Sequence, residues 1–190
     1  MTAIVSARKT YQMLGNEMLW DVAGRIHDRL RTEGIAYAIA GGVAVCLHGY
    51  RRNTVDLDLL INPADSPAFR AALEAEGLTW RAKQKEFRTA SGIAVQVLIA
   101  GESEGPGQPT RFPDPSAPSA VTEIEGLSVL SLPNLIQAKL ACGIGNLRRT
   151  HKDFADVVEL IAIHGLDGSF ARHLHKSVRD EFRQLAKRAI

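Results

Sequence analysis

The sequence predicts an α+β fold: a short mixed β-sheet with flanking helices, followed by a helical C-terminal part. Three observations predict it. Strand-like and helix-like segments are mixed up to about residue 130, and only helical patterns follow. The apolar share is 45% and the charged share 23%, the mix of a globular protein rather than a disordered one. Both cysteines, Cys46 and Cys142, lie in apolar helical stretches, so the core is built by side-chain packing and not by a disulfide framework or a thiolate zinc cage.

The elements follow in order. From Thr10 to Thr32, Leu14, Met18, Val22, Ile26 and Leu30 recur at four-residue spacing with charges between them, which predicts a helix ended by Gly34. Ile35 to Ala40 reads as a strand. Gly41-Gly42 then turns the chain into a short helix, Val43 to His48. Val55 to Ile61 alternates as a second strand, ended by Asn62-Pro63, and Ser66 is expected to cap a helix running to about Glu76. Trp80–Arg81 and Glu86–Thr89 are weaker strand signals; Ile93 to Ile99 is a clear one.

Residues 101–120 hold three Gly, five Pro and three Ser, so this segment is expected to be a loop or linker and not a packed element. Val121 to Leu130 brings short strand signals. Pro133 suits the first turn of a helix reaching about Cys142. Further helices are expected over His151 to His164 and from near Ser169 almost to the end. Two parts result, a core over 1–130 and a helical part over 131–190 packed on it.

Charge is unevenly distributed. The net charge is +2, but residues 1–130 carry 13 basic and 15 acidic groups, and residues 131–190 carry 10 and 6. A polyanion contact is therefore expected toward the C-terminal third. Its candidate is the last helix, with Arg172, Lys176, Arg179, Arg183 and Lys187 at helical spacing opposite Phe170, Leu174, Val178, Phe182 and Leu185. RNA or tRNA, or an acidic partner, would dock there; a solvated face is the alternative. No run of about 18 apolar residues occurs, so no membrane contact is expected and the expected address is cytoplasmic.

The segment that carries chemistry is Ile39 to Ile61, IAGGVAVCLHGYRRNTVDLDLLI. Asp56 and Asp58 are two apart on an apolar strand, so both carboxylates share one face. Side by side they repel each other and are costly to desolvate. A divalent cation removes that penalty, and oxygen-only ligands select Mg²⁺ or Mn²⁺. Gly41-Gly42 stands at a strand-to-helix turn, where the missing Cβ lets phosphate approach backbone N–H groups. On this reading a branched residue at Gly42 would block phosphate with little effect on the fold. A phosphate nest and a carboxylate pair, thirteen residues apart, are the two halves of a triphosphate–Mg²⁺ site. Arg52 could steer phosphate or RNA. His173 and His175 could ligate metal but have no carboxylate or thiolate set beside them.

Ala40-Gly41-Gly42, the thirteen-residue spacer and Asp56-Leu57-Asp58-Leu59 resemble the signature of the DNA polymerase β-type nucleotidyltransferases. His48-Gly49, Arg52 and Thr54 resemble the bacterial branch that includes the AbiEii-type abortive-infection toxins. So do Leu135-Ile136, Lys139-Leu140, Arg149 and Lys152-Asp153-Phe-Ala-Asp156. The resemblance implies the nucleotidyltransferase fold and Mg²⁺-dependent transfer of a nucleoside monophosphate from an NTP to a hydroxyl of RNA, protein or a small molecule. For a toxin, an antitoxin protein would be a partner. It implies that Asp56 and Asp58 hold two metal ions, that Gly41 and Gly42 cradle the phosphates, and that Lys139 supplies positive charge to the β- and γ-phosphates. Lys152 would do the same or pair with Asp156 at i+4.

The sequence departs from this family at one place. The family's third carboxylate on a later strand is matched by Gln96, which offers a carbonyl oxygen but no charge and no base. Three readings stay open. The substitution weakens the second metal site and leaves a slow or inactive relative, in the limit a non-catalytic module that binds nucleotide, RNA or a protein partner. Or metal or phosphate alone deprotonates the acceptor. Or Gln96 is an ordinary outward residue of an edge strand.

Overall fold

A computed structural model describes residues 17–189. Helix α1 covers Glu17–Thr32, and the earlier turns expected from Thr10 lie outside the described residues. Strand β1 (Tyr37–Ala40) is buried along its whole length. Helix α2 (Gly41–Leu47) starts directly at the paired glycines. Strand β2 (Asp56–Ile61) is followed by a 3-10 turn at Pro63–Asp65 and helix α3 (Ser66–Ala75). Ser66 is the first residue of α3 and makes no capping hydrogen bond, which corrects the expected cap; Pro63 and Pro67 shape the two first turns instead. Strands β3 (Thr79–Arg81), β4 (Glu86–Arg88), β5 (Ala94–Ile99), β6 (Val121–Ile124) and β7 (Leu127–Leu130) follow.

The seven strands form one mixed sheet in the order β3-β4-β5-β2-β1-β7-β6. Strand β2 sits near the middle, antiparallel to β1 and parallel to β5. Its second half, Leu59 to Ile61, is buried on both faces. Only its first half offers polar side chains, because Asp56 and Asp58 face one way while Leu57 and Leu59 enter the core. The sheet therefore buries everything around these two aspartates and leaves their face partly open.

Helices α4 (Leu132–Gly145) and α5 (Leu147–His164) form an antiparallel pair. Their close approach needs Gly143, where a Cβ would meet the Phe154 ring at 2.6 Å. Helix α5 begins one turn before the expected His151. Asn146 caps it, accepting from the Arg148 N–H at 3.1 Å, while Leu147 is 86% exposed and so adds nothing to the apolar periodicity that locates a helix start. His48 staples α2 to the sheet by an Nε2 contact with the Leu130 carbonyl at 2.8 Å, and His164 reaches the His48 carbonyl at the same distance. Burial depresses the His48 pKa, against the opposing effect of its bond to Leu130.

Two expectations are corrected here. The single C-terminal helix is instead a 3-10 segment at Gly168–His173, another at Lys176–Val178, and helix α6 over Arg179–Ala189. Leu174, Val178 and Phe182 still reach the core, so the apolar pattern was real, but the basic residues do not form one continuous stripe. Arg179 turns back to donate to the Leu174 carbonyl at 2.9 Å, and Arg183 pairs with Asp180 at 2.8 Å.

The second correction concerns residues 101–120, which form a loop without helix or strand, as expected, but one whose first part is packed. Gly101 N–H donates to the Phe112 carbonyl, and Phe112 N–H to that of Glu102, so the segment doubles back on itself. It lies directly on α4. A Cβ on Gly105 would overlap the Ala141 carbonyl, and one on Gly145 would overlap that of Pro106. Glycine and proline here permit tight docking, which composition alone reads as looseness.

Among the described residues, no helix is long and apolar enough to cross a membrane.

Candidate active site

Asp56 and Asp58 stand on the open face of β2, one residue apart in the same direction. Asp56 Oδ1 accepts from the Thr54 hydroxyl at 3.2 Å. Asp58 is the more enclosed. Burial raises its pKa to about 6, the neighbouring Asp56 charge adds to the rise, and Lys139, Arg149 and Lys152 oppose it. Its carboxylate lies against Gly41, whose φ of +59° and lack of a Cβ are both required: a β-carbon there would overlap the carboxylate. Gly42 is needed for a different reason. Its missing Cβ leaves room for the Thr54 hydroxyl and for Arg52 Nη2, which is 3.3 Å from where it would stand. A branched residue at Gly42 would therefore strike the protein itself, so the expectation of little effect on the fold is overturned.

Gln96 lies on β5 opposite Asp58 in the parallel ladder and opposite Glu86 of β4 on its other side. It is exposed and flanked by strands on both sides, so it does not belong to a sheet edge. One face thus brings together Asp56, Asp58 and Gln96: two carboxylates and an amide. Among the described residues no three His, Cys, Asp or Glu side chains converge as a metal cage. Two carboxylates and an amide oxygen do suit Mg²⁺, which keeps several waters and shares its remaining positions with substrate phosphates.

Behind this face lies a buried ion network that the sequence pattern did not disclose. Lys139 is 5% exposed, and its Nζ is 2.8 Å from both Asp153 Oδ1 and Asp156 Oδ2. Asp156 also takes a two-pronged contact from Arg52, Nε to Oδ1 at 2.5 Å and Nη2 to Oδ2 at 2.8 Å. Arg52 Nη1 donates to the Asn53 carbonyl at 3.0 Å, so all three guanidinium nitrogens have protein partners. Arg149 Nε reaches Asp153 Oδ2 at 3.0 Å. Burial alone would raise the Asp153 pKa, but Lys139 and Arg149 hold it below its usual range. Lys152 is exposed on α5, and Asp156 pairs with Lys139 and Arg52 rather than with it. The missed signal was the spacing of Asp153 and Asp156, which puts two carboxylates on the face of α5 that also carries Val157, Leu160 and Ile161.

A cavity of about 430 Å³ opens from this site. Its lining includes Asp58, Gly41 and Gln96, the ion-network residues Lys139, Arg149 and Asp153, and Glu104 and Phe112 of the doubled-back segment. Glu104, which no sequence motif marked, is 4% exposed. His173 and His175 contribute nothing to this region: His173 accepts from Arg172, and His175 contacts Ser177.

No protein-family model and no curated protein matches the chain. Solved structures do match. ANT(2'')-Ia in complex with adenylyl-2''-tobramycin superposes with a TM-score of 0.54 at 14% identity, over 86% of this chain and 96% of that one. A proposed nucleotidyltransferase from Helicobacter pylori gives 0.55 at 16% identity, covering 94% of each chain. Another, TM1012 from Thermotoga maritima, gives 0.51 at 19% identity, over 71% of this chain and 89% of that one. The chain has the nucleotidyltransferase fold.

Proposed function

We propose that the chain is a Mg²⁺- or Mn²⁺-dependent nucleotidyltransferase that moves a nucleoside monophosphate from an NTP to an acceptor hydroxyl. The observation that carries this reading is the shared face of Asp56, Asp58 and Gln96, opening on a cavity walled by Lys139 and Arg149. Asp56 and Asp58 would hold the metal, with the Gln96 amide oxygen as a neutral third ligand. Such an ion, when bound, neutralises triphosphate charge and lowers the pKa of an acceptor hydroxyl.

The chain's own residues do the rest. Gly41 lets Asp58 stand against the backbone where β1 passes into α2, and the N–H groups of Gly41 and Gly42 start that helix where phosphate would approach. Lys139 would face the β- and γ-phosphates from a position fixed by Asp153 and Asp156, and exposed Lys152 would add charge from outside. Arg52 acts through Asp156 as a strut and not as a phosphate ligand. In the reaction the acceptor oxygen bonds to the α-phosphorus, the bond to the bridging oxygen breaks, and pyrophosphate leaves. The acceptor proton goes to water, because the Gln96 amide cannot take it.

The acceptor class extends from RNA or tRNA and protein, as for an AbiEii-like toxin with its antitoxin, to small hydroxyl compounds of the kind represented by the tobramycin adduct of ANT(2'')-Ia. The broken basic stripe before α6 weighs against RNA. A second reading rests on Gln96 itself: a neutral residue opposite Asp58 suits a non-catalytic module that keeps the fold and binds nucleotide.

The test is incubation with α-labelled NTPs and Mg²⁺ or Mn²⁺, with bulk tRNA, the protein itself and small alcohols as acceptors. Label transferred by the wild type and lost in Asp58→Asn supports the enzyme. NTP binding without transfer supports the second reading. Absence of both overturns the proposal.

A further inference from the structure

The three cations of the ion network do not end alike. Lys139 Nζ is held by Asp153 and Asp156 and is buried, which leaves it one N–H and almost no surface. Arg52 has all three guanidinium nitrogens on Asp156 and the Asn53 carbonyl. Both are struts inside the protein. Arg149 is anchored at a single point: its Nε donates to Asp153 Oδ2 at 3.0 Å, an i,i+4 pair on α5. Its side chain is half-exposed, and Nη1 and Nη2 have no hydrogen-bond partner among the described residues.

The anchor is firm. Asp153 is fully buried, and Lys139 holds its other oxygen. The guanidinium is therefore set in direction while its outer edge stays open. Arg149 lines the cavity together with Gly41, Asp58 and Gln96, and the Arg149 and Asp58 charges act on each other. No carboxylate of α5 that faces the network is left to take the open edge, because both oxygens of Asp153 and both of Asp156 are engaged. A guanidinium with Nε tied down and two Nη groups open is a fork that fits two oxygens of one phosphate.

We propose that Arg149 is a specificity residue of the nucleotide site: its open fork takes the terminal phosphate of the NTP, so that the site selects a triphosphate over a diphosphate. The proposal rests on the transferase reading above and divides the work of its cations. Arg52 and Lys139 hold Asp156 and Asp153 in place, Lys139 adds its charge from behind, and Arg149 makes the two-pronged contact. The Nη groups donate to two non-bridging oxygens of the γ-phosphate, and no covalent bond changes in that contact. A diphosphate seated on the same face has no group at that position, so the fork stays in water and adds nothing.

Binding to the full chain tests it without turnover. ATP, GTP, CTP and UTP are each titrated with Mn²⁺ by calorimetry, and the tightest binder is compared with its own diphosphate. The wild type should prefer the triphosphate by about tenfold or more, the effect of one or two hydrogen bonds to a charged group. Arg149→Met should erase the preference by weakening the triphosphate alone. Arg149→Lys keeps the charge and loses the fork, and should recover only a small part of the preference. Arg148→Met removes a charge from the exposed position beside it and should leave the preference unchanged. Melting curves report whether each variant folds, and Arg149→Lys decides the matter if Arg149→Met does not. Equal binding of triphosphate and diphosphate by the wild type overturns the proposal and leaves the transferase reading standing. So does a full preference in either Arg149 variant, or an equal loss in Arg148→Met. A wild type that binds no NTP sinks the transferase reading, and the role of Arg149 with it.

Discussion

Gln96 lies directly across from Asp58 in the parallel ladder between β5 and β2, on the same face and with the same direction of chain. The register thus puts an amide beside the carboxylate pair proposed to hold the metal. Replacing Gln96 by Asp adds one charge and removes one methylene at an exposed position, so the fold should not change. Mn²⁺ affinity is expected to rise. If the wild type is an enzyme limited by the missing base, transfer should rise on the order of 10²-fold, the low end of a general-base contribution. Calorimetry and labelled-NTP transfer, wild type beside Gln96→Asp, measure the two effects separately. Unchanged metal affinity would show that residue 96 does not reach the metal.

The two glycines separate into different experiments. Gly41→Ala strains a φ of +59° and drives a methyl group into the Asp58 carboxylate. The backbone effect alone costs about 1–2 kcal/mol, and Mn²⁺ binding should fall with the displaced carboxylate. Gly42→Val should instead lower the melting temperature by disturbing Thr54 and Arg52. A Gly42→Val protein with wild-type stability and lost NTP binding would restore the purely phosphate-based view of that glycine.

The first site motif was legible because period-two geometry and the order of turn, helix and strand act over 20-odd residues of contiguous chain. Asp56 and Asp58 could be read in this way, down to the shared face, whereas Gln96, on a later strand, was set beside them only by the family resemblance. What was not legible depends on long-range closure. Arg52 meets Asp156, 104 residues away, and Glu104 meets Gln137 across the docked segment. Nothing local marks either contact. Residues 101–120 are the loop their composition predicts, but their packing is not legible, because glycine and proline report backbone permission and only the facing surface of α4 decides whether it is used. The C-terminal helix departs from its expectation for a related reason: Phe170, Leu174, Val178 and Phe182 keep four-residue spacing through two 3-10 segments and into α6, so periodicity outlives the α-helix it is taken to signal.

Lys139→Met tests how far the ion network supports the fold. It removes the cation between Asp153 and Asp156 while keeping the length of the side chain. Losing one partner of a buried pair costs about 3–5 kcal/mol. The lower end is expected, because Arg149 and Arg52 still hold one oxygen or more of each aspartate. Urea unfolding at neutral pH measures it. A change well below 1 kcal/mol would mean that the two arginines suffice, and that Lys139 is kept for a ligand.

Glu104 should write itself into the pH dependence of stability. Its carboxyl is held at about 7 in the folded chain against an ordinary value of 4.5. A raised acid binds its proton more tightly in the native state than in the unfolded one. Its contribution is therefore complete below about pH 4.5 and is lost as pH rises through 7. The span of 2.5 pH units corresponds to about 3 kcal/mol at most. Glu104→Gln removes the titration and keeps the shape, so its stability should match the wild type near pH 4.5 and exceed it near pH 8. Other titrating groups are common to both proteins and cancel in the difference. Urea unfolding of the two at half-unit steps gives the curve directly. A constant difference across that range would mean that Glu104 titrates alike in the folded and unfolded states.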